Sequence, residues 1–199
     1  MQLTLTQFVT LDGVMQGPGD PDEDTSGGFT QCGWLVPYFD ADFRRFIDAG
    51  FGRADAFLLG RRTYEIFAAH WPKFSGDPVS DALNSLPKYV ASTTLTSADW
   101  EGTRIIGENL VEEVKALKER PGRELQVHGS GNLAQTLFAH GLVDTLHLVT
   151  HPVVLGAGKR FFAAGGLPTA FRNAATSVTG TGVVISTYER AGSPEYRGF

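Results

Sequence analysis

The chain is nearly without cysteine. Cys32 stands alone among 199 residues, so no intrachain disulfide can form and no thiolate cluster can hold a metal. That usage fits a reducing compartment. There is no excess of basic charge either. The formal net charge is -5, which argues against general nucleic-acid binding, since that needs a basic face. No apolar run is long enough to span a bilayer, and the start, Met1-Gln2-Leu3-Thr4-Leu5-Thr6, lacks the basic n-region of a signal peptide. G-x-S-x-G, Walker A and H-E-x-x-H patterns are missing too. The expectation is a cytoplasmic chain with no membrane, nucleic-acid or metal partner. What is present is ordinary for a globular protein: 42% hydrophobic and 20% charged residues. This length suits one domain over residues 1–199, with a core that needs no covalent staple.

Leu3 to Leu11 reads as a strand running into the turn Asp12-Gly13. Gly17 to Gly33 is too polar and Gly-rich for regular structure. A loop of that length is usually functional or disordered, and its acids Asp20, Asp22, Glu23 and Asp24 read as solvated charge. Asp40 is placed to cap a helix to about Ala49, with Phe43, Phe46 and Ile47 on one stripe. Then follow a strand (54–59), a helix (61–70) stopped at Trp71-Pro72, a short helix ending before Pro87, and strands at 88–92 and 104–106. An amphipathic helix (109–119) comes next. A strand at 124–128 leads through Gly129-Ser130-Gly131 into a helix over 132–140. A strand over 142–154 and a hairpin near 170–177 and 181–190 close the chain. This order predicts an α/β fold: a largely parallel sheet with helices on both faces and an antiparallel edge. Ligands in such sheets sit beyond the carboxyl ends of the strands.

Three of those strand ends carry ligand chemistry. Gly129-Ser130-Gly131-Asn132-Leu133 sits where a helix start can hold a pyrophosphate on free N–H groups. Gly60-Arg61-Arg62-Thr63 combines a second helix start with two guanidiniums and a hydroxyl, suited to an adenosine 2′-phosphate and hence to NADPH over NADH. Ser92 and Thr93 could serve the same phosphate. Asp12-Gly13 and Trp34 flank the long loop, which suggests a lid over a planar substrate. The histidines show no metal spacing. His147 and His151 share one strand face, where a buried, hydrogen-bonded or polar-face role is expected. A true Rossmann dehydrogenase would need an acidic ribose ligand about twenty residues past the Gly129 loop, and Asp144 comes too soon.

The ordered strings Thr10-Leu11-Asp12-Gly13-Val14, Leu58-Leu59-Gly60-Arg61-Arg62-Thr63-Tyr64, His128-Gly129-Ser130-Gly131-Asn132-Leu133 and Pro152-Val153-Val154-Leu155-Gly156-Ala157-Gly158-Lys159-Arg160-Phe161-Phe162 cover nearly the whole chain. With them the sequence resembles the dihydrofolate-reductase-like superfamily, most closely the reductase domain of the bifunctional riboflavin-pathway deaminase-reductase. The resemblance implies a three-layer dihydrofolate-reductase-like fold and an NADPH-dependent reductase. The reaction implied is hydride transfer to a C=N or C=O of a small polar substrate, pterin-like or ribosylaminopyrimidine-like. It maps the cofactor onto Gly13, Gly60, Arg61, Arg62, Thr63, Ser92, Thr93, Gly129, Ser130, Gly131, Asn132 and Leu133. Asp12 and Asp42 take the catalytic positions, to bind or protonate substrate through a carboxyl of raised pKa. Trp34 and Phe46 face the substrate. A homodimer through the terminal strands and Val153–Phe162 is implied by analogy. The alternative is a catalytically silent NADP(H)- or ligand-binding protein on the same fold. The long Gly-rich loop departs from folate reductases, and the deaminase half is absent from this sequence.

Overall fold

The computed structural model describes residues 1–162 and 166–198. Its centre is an eight-stranded sheet. The strands are β1 (Gln2–Thr10), β2 (Ala54–Gly60), β3 (Lys88–Ala91), β4 (Thr103–Ile106), β5 (Glu124–His128), β6 (Thr145–His151), β7 (Ala170–Val178) and β8 (Val184–Gly192). Their spatial order is β4-β3-β2-β5-β1-β6-β8-β7. The first six run parallel, and β8 pairs antiparallel with both β6 and β7. The expected parallel sheet with an antiparallel C-terminal edge is therefore the observed one. β5 returns between β2 and β1, which puts a reversal of strand order at the middle of the sheet.

The five α-helices are α1 (Ala41–Phe51), α2 (Arg61–His70), α3 (Pro78–Ser85), α4 (Leu110–Glu119) and α5 (Gly131–Ala139). Alternation along β1 divides the layers. Leu3, Leu5 and Val9 join Leu125, Val127, the α4 residues Val114 and Leu117, and the α5 residues Leu133 and Leu137 in the largest core cluster. The opposite face of the sheet packs Phe57, Leu59 and Val90 on Phe51, Tyr64 and Leu83 from α1, α2 and α3. A third cluster seats Phe43 of α1 on Val149 and Ile185, under Trp34. Lys88 is wholly buried at the start of β3. Its Nζ donates to the carbonyls of Leu83 and Leu86, and burial pulls its pKa down to about 8.

The sheet edge and the loop hold two surprises. β6 begins at Thr145 rather than 142, because Leu142 N–H is drawn back to Leu137 O at the end of α5. The Gly17–Gly33 segment is fastened rather than loose. Gln16 Nε2 donates to the carbonyls of Asp24 and Ser26, and Trp34 Nε1 donates to Gln16 O at 2.8 Å. Among the described residues no helix is long and apolar enough to cross a membrane.

Candidate cofactor and substrate cleft

β2 and β5 are parallel neighbours, so the helices that follow them begin side by side at the carboxyl edge of the sheet. Ser130 joins these two starts. Its hydroxyl accepts from Gly60 N–H at 2.9 Å and lies 3.0 Å from both Thr63 Oγ1 and His128 O. Ser130 is buried, and its side chain serves the junction rather than an open anion site.

The helix starts differ in how their free N–H groups are treated. Asp40 caps α1 by accepting from Phe43 N–H, and Asp77 caps α3 by accepting from Val79 and Ser80 N–H. Neither α2 nor α5 has a side-chain cap, and neither has an acid in its first turn. A helix start has orphan donors and a positive dipole end, so two uncapped starts in contact form an anion-attracting edge. Gly129, at φ +59°, makes the turn into α5, and the space its Cβ would take is open, with Thr63 Oγ1 4.0 Å away. Gly131 is needed for a different reason. A Cβ there would fall 2.7 Å from Met15 Sδ, so the glycine lets the Met15 thioether lie against α5. Asn132 is exposed, whereas the Leu133 side chain is part of the main core and can offer a ligand only its backbone.

Both arginines of the second motif are engaged. Arg61 pairs with Glu65 on the surface. Arg62 donates to Asp24 Oδ1 at 2.7 Å, and Lys159 Nζ reaches Asp24 Oδ2 at 2.7 Å. Asp24 is only 9% exposed. Burial opposes its charge, but hydrogen bonds from Lys159 and Ser26 prevail and bring its pKa down to about 2. The expectation that this acidic run is merely solvated fails at Asp24, which ties the loop to α2 and to the segment before Phe161. Arg62 remains about half exposed, with Nη1 and Nε unspent. Ser92 accepts from Thr94 and Leu95 N–H, closing the turn after β3, and Thr93 is exposed beside it.

The two carboxylates assigned to catalysis need correction. Asp12 accepts from Thr10 Oγ1 at 2.6 Å and from Gly156 N–H at 2.9 Å, and Arg160 donates to its backbone carbonyl. The Thr10 hydroxyl, helped by the Gly156 and Leu155 amides, holds the Asp12 carboxyl below its ordinary value rather than above it. Asp12 and Gly13, whose carbonyl accepts from Phe161 N–H, therefore fasten the 155–161 segment to the end of β1. Asp42 is exposed on the outside of α1, paired with Arg45 and 3.3 Å from Gly180 N. It does not share the inward stripe with Phe43. Trp34 is buried, with its ring edge toward His151 at 5.1 Å, and forms a wall of the core more than a ligand surface.

Phe46 borders a small indentation. Beneath α1 it meets Ile47, Thr6, Gln126, His128 and His147 around a half-open space of only about 10 Å³. Burial pushes His128 down to about 4, with His147 adding to the effect, and burial also lowers His147. His147 keeps the hydrogen-bonded role expected of it, whereas His128 was not singled out from the sequence. The signal was there: His128 directly precedes Gly129, and His147 lies on the face of β6 that turns toward α1. His151, on that same face, takes the buried role, one of the alternatives expected of it, without the hydrogen bonds. It is fully buried among the edges of Phe8, Trp34, Tyr38 and Phe43, with neither ring nitrogen partnered.

Comparison with known proteins fits this arrangement. The family model for the RibD C-terminal domain matches residues 1–185. The chain belongs to the RibD C-terminal domain family. A curated relative, the uncharacterized protein YyaP of Bacillus subtilis (strain 168), is 31% identical over 166 residues, 81% of this chain and 80% of that one. The solved putative riboflavin biosynthesis protein from Shewanella sp. PV-4 has a TM-score of 0.69 at 20% identity, covering 96% of this chain and 99% of that one. Dihydrofolate reductase from Enterococcus faecalis, complexed with NADP(H) and RAB-propyl, has a TM-score of 0.61 at 16% identity, covering 96% of each chain. The fold of this RibD C-terminal domain relative is dihydrofolate-reductase-like.

Proposed function

We propose that this chain is an NADPH-dependent reductase acting on a C=N or C=O bond of a small polar substrate of pterin-like or ribosylaminopyrimidine-like kind. The observation that carries the reading is the pair of uncapped, acid-free helix starts, α2 and α5, held together by Ser130. The reductase name of the fold relative from Enterococcus faecalis supports it.

The residues present suit a dinucleotide phosphate. The backbone amides at Asn132 and Leu133 would receive the pyrophosphate, with Gly129 leaving room for it. Arg61, Arg62, Thr63, Ser92 and Thr93 would hold the 2′-phosphate, where bidentate guanidinium contacts give NADPH its advantage over NADH. When bound, NADPH supplies a hydride from C4 of its dihydronicotinamide. The chain's own contribution is position and dryness: Asp12 fixes the end of β1, Met15 covers the start of α5, and Asp24 fastens the long loop to Arg62 of α2 and to Lys159. Neither Asp12 nor Asp42 is arranged to deliver a proton. A cytoplasmic homodimer through β7 and Val153–Phe162 belongs to the same reading, supported by the exposed Val154, Phe162 and Val178. A single dimeric mass in sedimentation is the result to expect.

The cofactor test is fluorescence titration of NADPH and NADH against the wild type and Arg61→Ala/Arg62→Ala. Loss of charge-assisted hydrogen bonds should weaken NADPH by about 10–100-fold and NADH far less. Failure of the wild type to bind either nucleotide would sink the reading. Binding without oxidation across a panel of oxo-pyrimidines and pterins would favour the catalytically silent alternative.

A further inference from the structure

We propose that Met15 is an oxidation site whose sulfoxide caps α5 and closes the nucleotide edge. The inference deepens the reductase reading and rests on it only for what that edge holds. Met15 follows the end of β1, half-buried between the buried Val14 and Gln16. Its N–H donates to Lys159 O at 2.8 Å, and Gln16 Oε1 accepts from Lys159 N–H at 3.0 Å. The backbone is pinned on both counts, and the side chain reaches the start of α5. A Cβ on Gly131 would lie 2.7 Å from Met15 Sδ and 2.9 Å from its Cε. Sulfur and methyl therefore both rest on the first residue of that helix.

The turn they rest on has donors to spare. α5 has no side-chain cap and no acid in its first turn. Gly131 N–H turns back to Gly129 O at 3.1 Å, and Ala134 N–H begins the helical ladder on Ser130 O at 2.8 Å. Between them, the N–H groups of Asn132 and Leu133 meet no acceptor among the described residues. These are the donors assigned above to the pyrophosphate. A thioether is a weak acceptor, so reduced Met15 leaves them free and adds only an apolar surface beside them.

Oxidation reverses that. The oxidant is a hydroperoxide, and the thioether sulfur attacks its terminal oxygen. An S–O bond forms as the O–O bond breaks. The proton of the transferred hydroxyl passes to the departing oxygen, which leaves as water or an alcohol. Sulfur loses two electrons and the peroxide gains them. The product is a polar sulfoxide, whose oxygen is a strong acceptor. Gly131 has no side chain to hold that oxygen off, and the space over Gly129 is open. There the oxygen faces orphan N–H groups and the positive end of the helix dipole. It takes the place a phosphate oxygen would need. Methionine sulfoxide reductases undo the change, so the block is reversible. The chain's other methionine, Met1, lies beside Gly122 at the far end of β1 and serves as the internal control.

The test uses the full chain carrying Cys32→Ser, so that no thiol competes for the oxidant, and tert-butyl hydroperoxide. Peptide mass mapping separates the Met15 sulfoxide from that of Met1. Oxidation at Met15 should weaken NADPH at least about tenfold in fluorescence titration, and methionine sulfoxide reductases should restore it. Met15→Leu sets its own baseline, which peroxide should leave where it was. Met15→Gln, whose amide oxygen stands in for the sulfoxide, should bind NADPH less tightly than Met15→Leu. A second readout needs no nucleotide: amide exchange followed by NMR should slow at Asn132 and Leu133 once Met15 is oxidised. Unchanged exchange at those two amides, unchanged NADPH affinity in a chain shown to carry the Met15 sulfoxide, or an equal loss in peroxide-treated Met15→Leu would overturn the proposal. So would a Met15 that resists the oxidant while Met1 reacts. Failure of the untreated chain to bind NADPH defeats the cofactor assignment instead, and the exchange readout then decides for Met15 alone.

Discussion

The two faces of the sheet have been built for different purposes. Toward α4 and α5 the sheet shows Leu3, Leu5, Val9, Leu125 and Val127, all buried, with Gln7 the polar exception. Toward α1 it shows Thr4, Thr6, Gln126, His147 and His151, also buried, and among the described residues both ring nitrogens of His151 lack a partner there. Apolar burial stabilises at about 25 cal/mol per Å², while an unmet polar group costs about 1–3 kcal/mol. The first face therefore holds the fold together. The second buries polar groups instead, and at His151 two ring nitrogens go unmet.

The contrast can be broken most severely on the apolar side. Leu125→Ala, in the wholly buried centre, should cost about 2–5 kcal/mol in urea unfolding, while protein that remains folded keeps its nucleotide affinity. Acid attacks the other face. His128 and His151 fall from 6.5 to about 4 in the folded state, so below pH 6.5 the unfolded chain takes up protons that the folded one refuses. Stability should fall between pH 6.5 and about 4, and His151→Phe should flatten that slope in urea midpoints measured across the window. A flat wild-type profile would show that these rings are not held neutral. Ser130→Ala separates the helices of the two faces, because Ser130 ties α2 on one to α5 on the other. Leaving the Gly60 amide without its acceptor should cost about 1–3 kcal/mol and weaken NADPH. Asp77→Ala should cost about 1 kcal/mol by uncapping α3, with nucleotide binding unchanged. Asn132→Asp should act with opposite signs. It adds about 0.3–1 kcal/mol to α5 through the helix dipole, read as a raised Tm, while its charge opposes the phosphates.

Most of the fold could be read from the chain because it is written locally. Alternation gives β1, the spacing of Leu110, Val114 and Leu117 gives α4, and Asp40 announces α1. The paired helix starts were legible for the same reason. What escaped depends on partners far apart in sequence. Asp24 looked solvated because Arg62 and Lys159 lie 38 and 135 positions away. Asp12 looked like an acid catalyst until Gly156, 144 positions on, turned out to bond it. The meeting of Thr6 with His128 on one side and His147 on the other needs three strands in register, and no run of residues announces which strands will be neighbours.

The Asp24 carboxylate has one more consequence. It stands at Arg62 as a resident anion whose local concentration is fixed by the chain itself. Any anion arriving from solution must displace it or share the guanidinium with it through Nη1 and Nε. A weak, singly charged ion such as chloride gains little from that exchange, whereas a phosphate monoester brings more charge and more acceptor oxygens. The threshold for occupying the arginine is set inside the protein, before any ligand has arrived.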